Sequence, residues 1–551
     1  MNIMFLNRIV SGLKNRAGHL AYASRFYNWT LGQTTPELVQ TFIDPWPGKS
    51  ARGRWLCQGA FAFDHESLPL EGNFWQSEEV SKALKEHLHS FTWLRDLRSF
   101  GGEAARNQGR EMMLDWIDHH PNWNSQSWRP DILGQRIAIW LSLYDFTCEH
   151  APENVCAKIL CSLQRQARHL SRTLAAHGDT PGIAGLQAAK GLVYAGLAFE
   201  ARENWLEQGL EIFERQIPVQ VLSDGGHITR SPASSYYALR LCFEINSALA
   251  RAKYPRLEVL QHAMDRLTPA VRFFRHGDKC FSVFHQSLEE DHDEIDAVLA
   301  QTDGKIRIPK SLPHTGFERG TAGRSTLIVD CGLPAQAPYD KCSHASPLAF
   351  EFSHGRERIF VNCGTHLTDD NWAAMLRCSA AHNTLTMDDR NKFEIRADGH
   401  VGKRCGEIEV TRHEAENGII IDATHSGYES INNMIHRRRL YLGNDGSDLR
   451  GEDTLAGVDY PDKELAIAVR FHLHPRVPVS LIQQGRECLL RSQSGQGWRF
   501  FHVGGELRLE NSVYLGQDGQ ARKTKQIVIY LTSDQTPMMI QWALQKENRG
   551  R

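Results

Sequence analysis

The chain has 551 residues, 41% of them hydrophobic and 23% charged, and its 63 Lys and Arg almost balance its 65 Asp and Glu to give a net charge of -2. This length predicts more than one domain, because single cores stop growing at roughly 250–300 residues. The balanced charge offers no basic field for a phosphate backbone, so we expect no nucleic-acid partner. No apolar stretch approaches the roughly 20 residues that span a bilayer, so we expect no integral membrane segment.

The first residues and the cysteines both bear on location. Lys14 and Arg16 follow a short apolar stretch with no small-residue cleavage site, so a secretory signal is not expected. The 12 cysteines are scattered without a CxxC pair, which is typical of reduced thiols in a core. Both observations favour a cytoplasmic protein.

Apolar residues recur at helical spacing from about residue 78 to residue 299. Ile132, Ile137 and Tyr144 belong to one such stripe. Further stripes predict helices over residues 159–174, 186–199, 206–217, 236–250 and 257–274. The pattern therefore predicts a domain of amphipathic helices over residues 1–310.

Beyond Pro309 the pattern changes to alternation with a period of two. Leu348, Phe350 and Phe352 alternate with other residues, and a His-Gly turn follows them. Other strands are predicted over residues 326–329, 359–361, 407–411, 418–423, 438–442, 467–473, 498–503 and 526–531. Residues 311–551 are predicted to form an antiparallel β-sandwich, so the fold class is multidomain α+β.

One segment of interest in the helical half surrounds the start of a helix. Trp128 and Arg129 precede Pro130, and such residues can stack on a sugar or bind a carboxylate. They can equally be a core tryptophan and a helix start, which is how such residues usually function.

A second segment is a glycine-rich polar loop ahead of another helix. Its two glycines permit a backbone that exposes His227 and Arg230, and the helix that follows carries Tyr236 and Tyr237. A phenol can exchange protons if a neighbouring cation lowers its pKa. Loop and cap architecture alone is the alternative explanation.

The predicted β-domain contains three polar strand ends or loops. They carry Cys342 and His344, Cys363, and His382. Two histidines and a thiolate from separate segments can bind Zn²⁺, which needs three or four N, S or O ligands in a tetrahedron. The spacing is not that of a zinc finger, so these residues form a hypothesis rather than a motif.

Several segments also follow one another in a recognisable order. They are WRPDILGQR (128–136), DGGHITRSP (224–232), HTGF (314–317), HASPLAFE (344–351), VNCGT (361–365) and AAHNTL (380–385). Together they resemble the heparinase II/III-like family of polysaccharide lyases. The resemblance implies an N-terminal (α/α) toroid and a C-terminal antiparallel β-sandwich.

The resemblance also implies β-elimination on a uronic-acid polysaccharide or oligosaccharide, such as a glycosaminoglycan or alginate. The C5 proton becomes acidic only when the neighbouring carboxylate is neutralised, after which a base removes it and an acid protonates the leaving oxygen. In this chain Tyr236, Tyr237 and His227 are the proton-transfer candidates, and Arg230 is the carboxylate partner. Trp128, Arg129, Asp179 and Cys342 would contact the substrate in a cleft between toroid and sandwich.

The chain departs from the family pattern at several of these positions. Asp179 and Thr180 fall where the family has a carboxylate-neutralising Asn-His pair, and an anionic Asp repels a uronate. Ser234 stands where the catalytic Tyr is expected, so Tyr237, one turn later, or Tyr236 would replace it. Cys342 stands at the place of a catalytic His.

The zinc ligands of the family match only in part. His344 and His382 correspond to two ligands, but Asn362 stands where an Asp is expected, with Cys363 beside it. An amide is a poor ligand for Zn²⁺, so a site would need Cys363. The resemblance therefore implies at most one structural Zn²⁺ and no organic cofactor.

Three functions remain open. The first is a lyase acting on an acidic polysaccharide. The second is a carbohydrate-binding or envelope-polysaccharide assembly protein of the same fold that has lost the lyase chemistry. The third is hydrolysis by a carboxylate pair, Asp224 with Asp131 or Glu351. The resemblance also leaves the periplasm or cell envelope as an alternative location.

Overall fold

The structure is a computed structural model that describes residues 18, 20–63, 66–178, 180–200, 204–302, 304, 306–404, 406–428, 434–457, 465–532 and 538–547. The chain divides into two compact units, residues 1–218 with 240–261 and residues 219–239 with 262–551. The segment DGGHITRSP therefore belongs to the second unit. The predicted domain boundary at residue 310 stays a prediction.

The first unit is built mainly from α-helices. They span Arg25–Thr30, Ser50–Cys57, Lys82–Ser90, Leu94–Phe100, Gly102–His119, Pro130–Ser142, Tyr144–Cys148, Glu153–His177 and Ile183–Ala198. A hairpin of β1 (Ala60–Phe63) and β2 (Glu66–Pro69) accompanies them. The helices Trp205–Gln220, Pro232–Arg251 and Glu258–Phe273 are divided between the two units. Helices are thus present wherever the apolar stripes predict them.

Two helices of the first unit approach each other closely through glycines. A Cβ on Gly134 would lie 2.2 Å from the carbonyl oxygen of Gln187, and one on Gly191 would lie 2.5 Å from the Cα of Gly134. Arg136 on the same helix is buried and donates to the carbonyl oxygens of His89 and Ser127 and to Gln166 Oε1. The segment WRPDILGQR therefore has a packing role that accounts for its glycine and its second arginine.

The second unit contains the β-sandwich. Its strands are β3 (Ser311–Leu312), β4 (Phe317–Ala322), β5 (Ser325–Asp330), β6 (Phe350–His354), β7 (Glu357–Phe360), β8 (Leu385–Met387), β9 (Ile408–Ala415), β10 (Gly418–Tyr428), β11 (Met434–Gly443), β12 (Asp448–Ala456), β13 (Ala466–His472), β14 (Val479–Ile482), β15 (Glu487–Arg491), β16 (Gly497–Val503), β17 (Glu506–Tyr514), β18 (Arg522–Thr532) and β19 (Met539–Lys546). Two helices, His292–Leu299 and Asp370–Leu376, also lie in this unit.

Three antiparallel sheets make up the sandwich. Their strand orders are β14-β15-β16-β19-β12-β11-β10-β9, β17-β18-β13-β8 and β3-β4-β5-β6-β7. One hydrophobic core joins all three sheets. Phe350 stacks on Trp542 at 5.5 Å, and Phe471 meets the same indole edge-on at 4.8 Å. The core thus connects one residue from each sheet through aromatic contacts.

One predicted strand begins later than the alternation suggested. The pattern predicted a strand from Leu348, but β6 begins at Phe350, because Leu348 has a φ of 61°. That left-handed conformation cannot continue a strand. The Leu348 amide instead donates to the carbonyl oxygen of Asp330 at 2.7 Å. Among the described residues, no helix combines the length and apolar character needed to cross a bilayer.

Candidate functional site

The loop DGGHITRSP is fixed to the turn between β3 and β4. Both carboxylate oxygens of Asp224 accept hydrogen bonds, from the amides of His314 and Thr315 at 2.7 Å and from the Thr315 hydroxyl at 2.7 Å. Gly225 has a φ of 87°, and a Cβ there would lie 1.9 Å from the carbonyl oxygen of Arg266. The loop therefore needs its glycine, and its acid serves as a structural anchor.

Arg230 is buried and its guanidinium is engaged within the protein. Its Nε donates to the carbonyl oxygen of Thr315 at 2.7 Å, and its Nη2 donates to Gly316 at 3.2 Å and to Asp330 Oδ1. A Cβ on Gly332 would lie 2.4 Å from this Nη2, so Gly332 leaves the space that the guanidinium occupies. Arg230 thus neutralises an internal carboxylate, whereas the sequence predicted a role on the substrate.

His227 is completely buried and both ring nitrogens have partners. The Thr229 amide donates to Nδ1 at 3.2 Å, so Nδ1 is an acceptor and the proton lies on Nε2. Nε2 then donates to Gln220 Oε1 at 3.1 Å. Burial lowers the pKa of His227 to about 3, which keeps the ring neutral. A ring held in this way has no free nitrogen for proton transfer to a substrate.

The two tyrosines lie in different surroundings. Tyr236 is buried, whereas Tyr237 is half-buried and its hydroxyl donates to Glu290 Oε2 at 3.3 Å. The mechanism requires a cation beside the phenol, and this partner is a carboxylate. Ser234, at the expected position of the base, is also half-buried. Asp179 lies outside the described residues, so its predicted contact with the substrate stays a prediction.

His344 and His382 lie side by side, as the sequence predicted, and hydrogen bonds determine where their protons lie. The Gln286 amide donates to His344 Nε2 at 3.1 Å, which places the His344 proton on Nδ1. That proton is donated to His382 Nε2 at 3.0 Å. His382 Nδ1 in turn donates to the carbonyl oxygen of Cys378 at 2.8 Å. All four ring nitrogens are therefore engaged within the protein.

A third histidine, His285, continues this network and was not predicted. Its Nδ1 accepts from the His344 amide at 3.2 Å, and its Nε2 lies 3.1 Å from Asp330 Oδ2. Burial raises the pKa of the Asp330 carboxyl, but Arg230 and His285 outweigh burial and hold that pKa well below its usual range. Asp330 thereby connects the arginine of the loop to the histidine pair.

The third predicted zinc ligand points elsewhere. Cys363 Sγ lies 3.4 Å from His472 Nδ1, and burial raises the pKa of this thiol to about 12. Asn362 is also occupied, since its Oδ1 accepts from the Asn383 amide at 3.1 Å. Although the two histidine rings are in contact, the ligand atoms of His344, His382 and Cys363 do not all three come within 4.8 Å of one another.

A ligating nitrogen must offer a lone pair, but the Gln286 amide already uses that of His344 Nε2 and the ring proton occupies Nδ1. The residues therefore do not fit a zinc site in this arrangement. Zinc binding stays a prediction.

Cys342 ends a short 3-10 turn, Asp340–Cys342, and burial raises the pKa of its thiol to about 11. At neutral pH this group is a thiol with little capacity to accept a proton. It therefore does not reproduce the chemistry of the histidine that the family pattern places there.

Trp128 and Arg129 lie in the first unit. Trp128 is buried, with its ring edge-on to His169 at 5.3 Å. Arg129 binds Asp131 through two hydrogen bonds of 2.6 and 2.7 Å and also pairs with Glu86. Pro130 begins the helix, so the core-tryptophan and helix-start explanation agrees with the geometry.

The carboxylate pairs considered for hydrolysis are also engaged internally. Asp131 pairs with Arg129, and Asp224 holds its own loop. Glu351 is buried, accepts from the Asn362 amide at 3.1 Å and lies 3.0 Å from His276 Nε2. None of the three therefore presents a carboxylate free to assist hydrolysis.

Two models of known protein families match this chain. The profile described as "Heparinase II/III N-terminus" matches residues 71–257, and the one described as "Heparinase II/III-like, C-terminal" matches residues 305–543. The chain therefore belongs to the heparinase II/III-like family.

Solved structures show the same fold. A crystal structure of heparinase III matches with a TM-score of 0.70 at 15% identity, covering 96% of this chain and 89% of the other. The heparan sulfate lyase HepC mutant from Pedobacter heparinus matches with a TM-score of 0.62 at 15% identity, covering 96% and 88%. The predicted fold class, an (α/α) toroid followed by an antiparallel β-sandwich, is confirmed.

A relative with higher sequence identity than these structures is not named as a lyase. The "FtsZ-localized protein C" of Caulobacter vibrioides is 31% identical over 522 residues, which cover 91% of this chain and 89% of that protein. The similarity thus extends over nearly the whole of both chains.

Proposed function

We propose that this protein is a heparinase II/III-like family member that has lost β-elimination chemistry, that still binds an acidic saccharide, and that localises with FtsZ. The observation that carries the loss of chemistry is the engagement of Arg230 and His227 inside the protein. The sequence assigned carboxylate neutralisation to Arg230 and proton transfer to His227.

Elimination needs a group that neutralises the uronate carboxylate and a base beside the C5 proton at the same time. Arg230 already neutralises Asp330, and releasing it would leave that buried carboxylate unpaired. The position of the expected base holds Ser234, and that of the expected histidine holds Cys342. A serine hydroxyl or a thiol with a raised pKa cannot replace a phenolate or an imidazole at neutral pH.

The proposed localisation comes from the relative. The "FtsZ-localized protein C" matches across 91% of this chain, so the match extends into both family segments. A similarity that spans both segments supports a shared role of the whole protein. The cytoplasmic location stays a prediction.

A lyase activity is the second candidate, because Tyr237 keeps a half-buried phenol on the helix that follows the family loop. In that case Tyr237 would first give its hydroxyl proton to Glu290, and its phenolate oxygen would then take the C5 proton. The C4–C5 double bond would form as the C4–O bond breaks, and Tyr237 would pass the C5 proton to the leaving oxygen, so replacing Tyr237 would abolish the reaction. An acidic polysaccharide would then be a substrate and not only a ligand.

Imaging tests the localisation. A fluorescent fusion of the full chain is observed together with labelled FtsZ in cells of its own organism, with the free fluorescent protein as the control. We expect the two signals to overlap, and the fusion to disperse when FtsZ is depleted. A fusion distribution that is unchanged by FtsZ depletion would overturn this part of the proposal.

A further inference from the structure

A cavity of about 410 Å³ lies on the sandwich, away from the family motifs. Its lining consists of Arg324, His354, Arg356, Glu357, Ser494, Gln496 and Lys546. All of these residues belong to the second unit. Its volume falls in the range of about 300–1,000 Å³ that is usual for small-molecule sites.

Three cations contribute to this cavity. Within the part of the chain that the structure describes, the guanidinium groups of Arg324 and Arg356 form no hydrogen bond or ion pair. Arginines elsewhere on the sandwich are usually paired, as Arg508 is with Glu506 at 2.9 Å. Unpaired cations that converge on a concave site favour an anionic ligand.

The carboxylates near the cavity are already occupied. Glu357 accepts from the Ser494 amide at 2.7 Å and from its hydroxyl at 3.0 Å. Asp445, which also acts on His354 electrostatically, accepts from the Ser447 amide at 3.0 Å and from its hydroxyl at 2.5 Å. Both acids accept hydrogen bonds from serines rather than from the three cations, although Lys546 also acts on Asp445 electrostatically. The lining residues themselves carry a net charge of +2 (three cations and one carboxylate, with a neutral His354).

His354 binds Lys546, the lysine that lines the cavity. Ser325 Oγ donates to the Gly446 carbonyl oxygen at 2.6 Å, so it accepts from His354 Nδ1 at 2.9 Å. His354 Nε2 then offers its lone pair to Lys546 Nζ at 3.2 Å. Burial, followed by Lys546 and Arg324, lowers the pKa of His354, which keeps the ring neutral and able to accept. Lys546 keeps two further N–H donors for a ligand.

The turn between β6 and β7 contacts Arg324. Gly355 has a φ of 60°, and its amide donates to the Arg324 carbonyl oxygen at 2.7 Å. A Cβ on Gly355 would lie 2.6 Å from Arg324 Nη2, so the guanidinium lies directly over this glycine. The position of Arg324 is therefore set by the fold.

We propose that this cavity binds a small anionic sugar, with its carboxylate or phosphate group between Arg324, Arg356 and Lys546. Planar guanidinium groups bind both kinds of oxyanion through paired hydrogen bonds. The Gln496 amide nitrogen donates to the carbonyl oxygens of Gly497 and Glu547 at 3.0 and 2.7 Å, so its Oε1 is the group of this side chain that can accept from a sugar hydroxyl. The site is separate from the loop of Arg230, so it does not depend on whether elimination occurs.

Calorimetric titration of the full chain tests the proposal with glucuronate, glucose 6-phosphate and neutral glucose as probes. We expect at least one anionic probe to bind, weakening as salt is added, and glucose to give no signal. The stronger anionic probe identifies the carboxylate or the phosphate as the preferred group. Equal signals from glucose and both anions, or no binding by either anion, would overturn the proposal.

Variants assign the binding to this cavity. Arg324→Ala combined with Arg356→Ala should weaken the anion about tenfold or more, because each charge-assisted hydrogen bond contributes substantially. Arg508→Ala, an exposed arginine of the same unit, should change the affinity less than about twofold. Thermal unfolding confirms that each variant is folded. Unchanged affinity in a folded double variant would contradict the assignment. Arg356→Glu is a second test, and it should also weaken binding of the anion.

Discussion

Arg230 and Asp330 form a buried ion pair that ties the loop of residues 224–232 to the end of β5. The arginine has a φ of 64°, in the left-handed region that is uncommon for residues other than glycine. Asp330 also accepts from the Ser346 hydroxyl at 2.9 Å and lies 3.1 Å from His285. The pair therefore connects the loop to the histidine network.

Asp330→Asn should destabilise the protein strongly, because it leaves the Arg230 charge buried without its partner. The expected loss in the free energy of unfolding is about 3–5 kcal/mol, measured by urea denaturation. Asp448→Asn is the matched control, since it removes the partner of the exposed Arg450 from a half-buried position and should cost about 0–1 kcal/mol. A similar, small loss of unfolding free energy in both variants would show that the buried charge of Arg230 does not need Asp330 as its partner.

His227 should make stability depend on pH. Its folded pKa of about 3 lies below the unfolded value of about 6.5, so the unfolded chain takes up the proton first as the pH falls. The contribution of the neutral ring is fully present above about pH 6.5 and is lost as the pH falls towards about 3.

His227→Gln removes this titration. Between pH 7 and pH 5 the unmodified protein should lose about 2 kcal/mol more of its unfolding free energy than the variant does, by urea denaturation at each pH. His413→Gln, a change at an exposed histidine of β9, should keep the pH dependence of the unmodified protein. Parallel pH profiles for His227→Gln and the unmodified protein would contradict the neutral, buried ring.

Metal analysis tests the tautomers of the histidine pair. Because the Gln286 amide occupies His344 Nε2, protein purified without chelator should hold well below one equivalent of zinc. His382→Gln should leave the metal content unchanged, and chelator should leave the midpoint of thermal unfolding unchanged. One equivalent of zinc that disappears in His382→Gln would show that the rings rotate to bind metal and that Nε2 is not an acceptor.

Much of the fold follows from the sequence because periodicity reports which face of an element is buried. The helices and strands are present where the apolar stripes and the alternation predict them. What the sequence did not predict is local: the start of one strand and the short strands. The late start of β6 depends on the φ of Leu348, which residue type does not reveal for leucine. The short edge strands, such as β3 and β14, lack a long alternating pattern.

The candidate site was less predictable for a physical reason. The sequence grouped His344 with His382, and their rings lie side by side, but the hydrogen-bond partners of the candidate residues come from distant parts of the chain. Nothing around Arg230 indicates that Asp330 will bind it, and no spacing connects His285 with His344. The sequence makes Cys363 a candidate metal ligand, but in the fold its Sγ lies 3.4 Å from His472 Nδ1. Motifs indicate which residues share a region, whereas only the folded structure shows which atoms remain free.

The proposed loss of β-elimination is open to a direct assay, because the elimination product absorbs ultraviolet light. The full chain is incubated with heparan sulfate, chondroitin, alginate and polyglucuronate while the ultraviolet absorbance of the C4–C5 double bond is recorded, with an active lyase as the positive control. We predict no rise in absorbance for the protein or for Tyr237→Phe. A steady rise that Tyr237→Phe abolishes and Tyr236→Phe retains would contradict the account and establish the protein as a lyase.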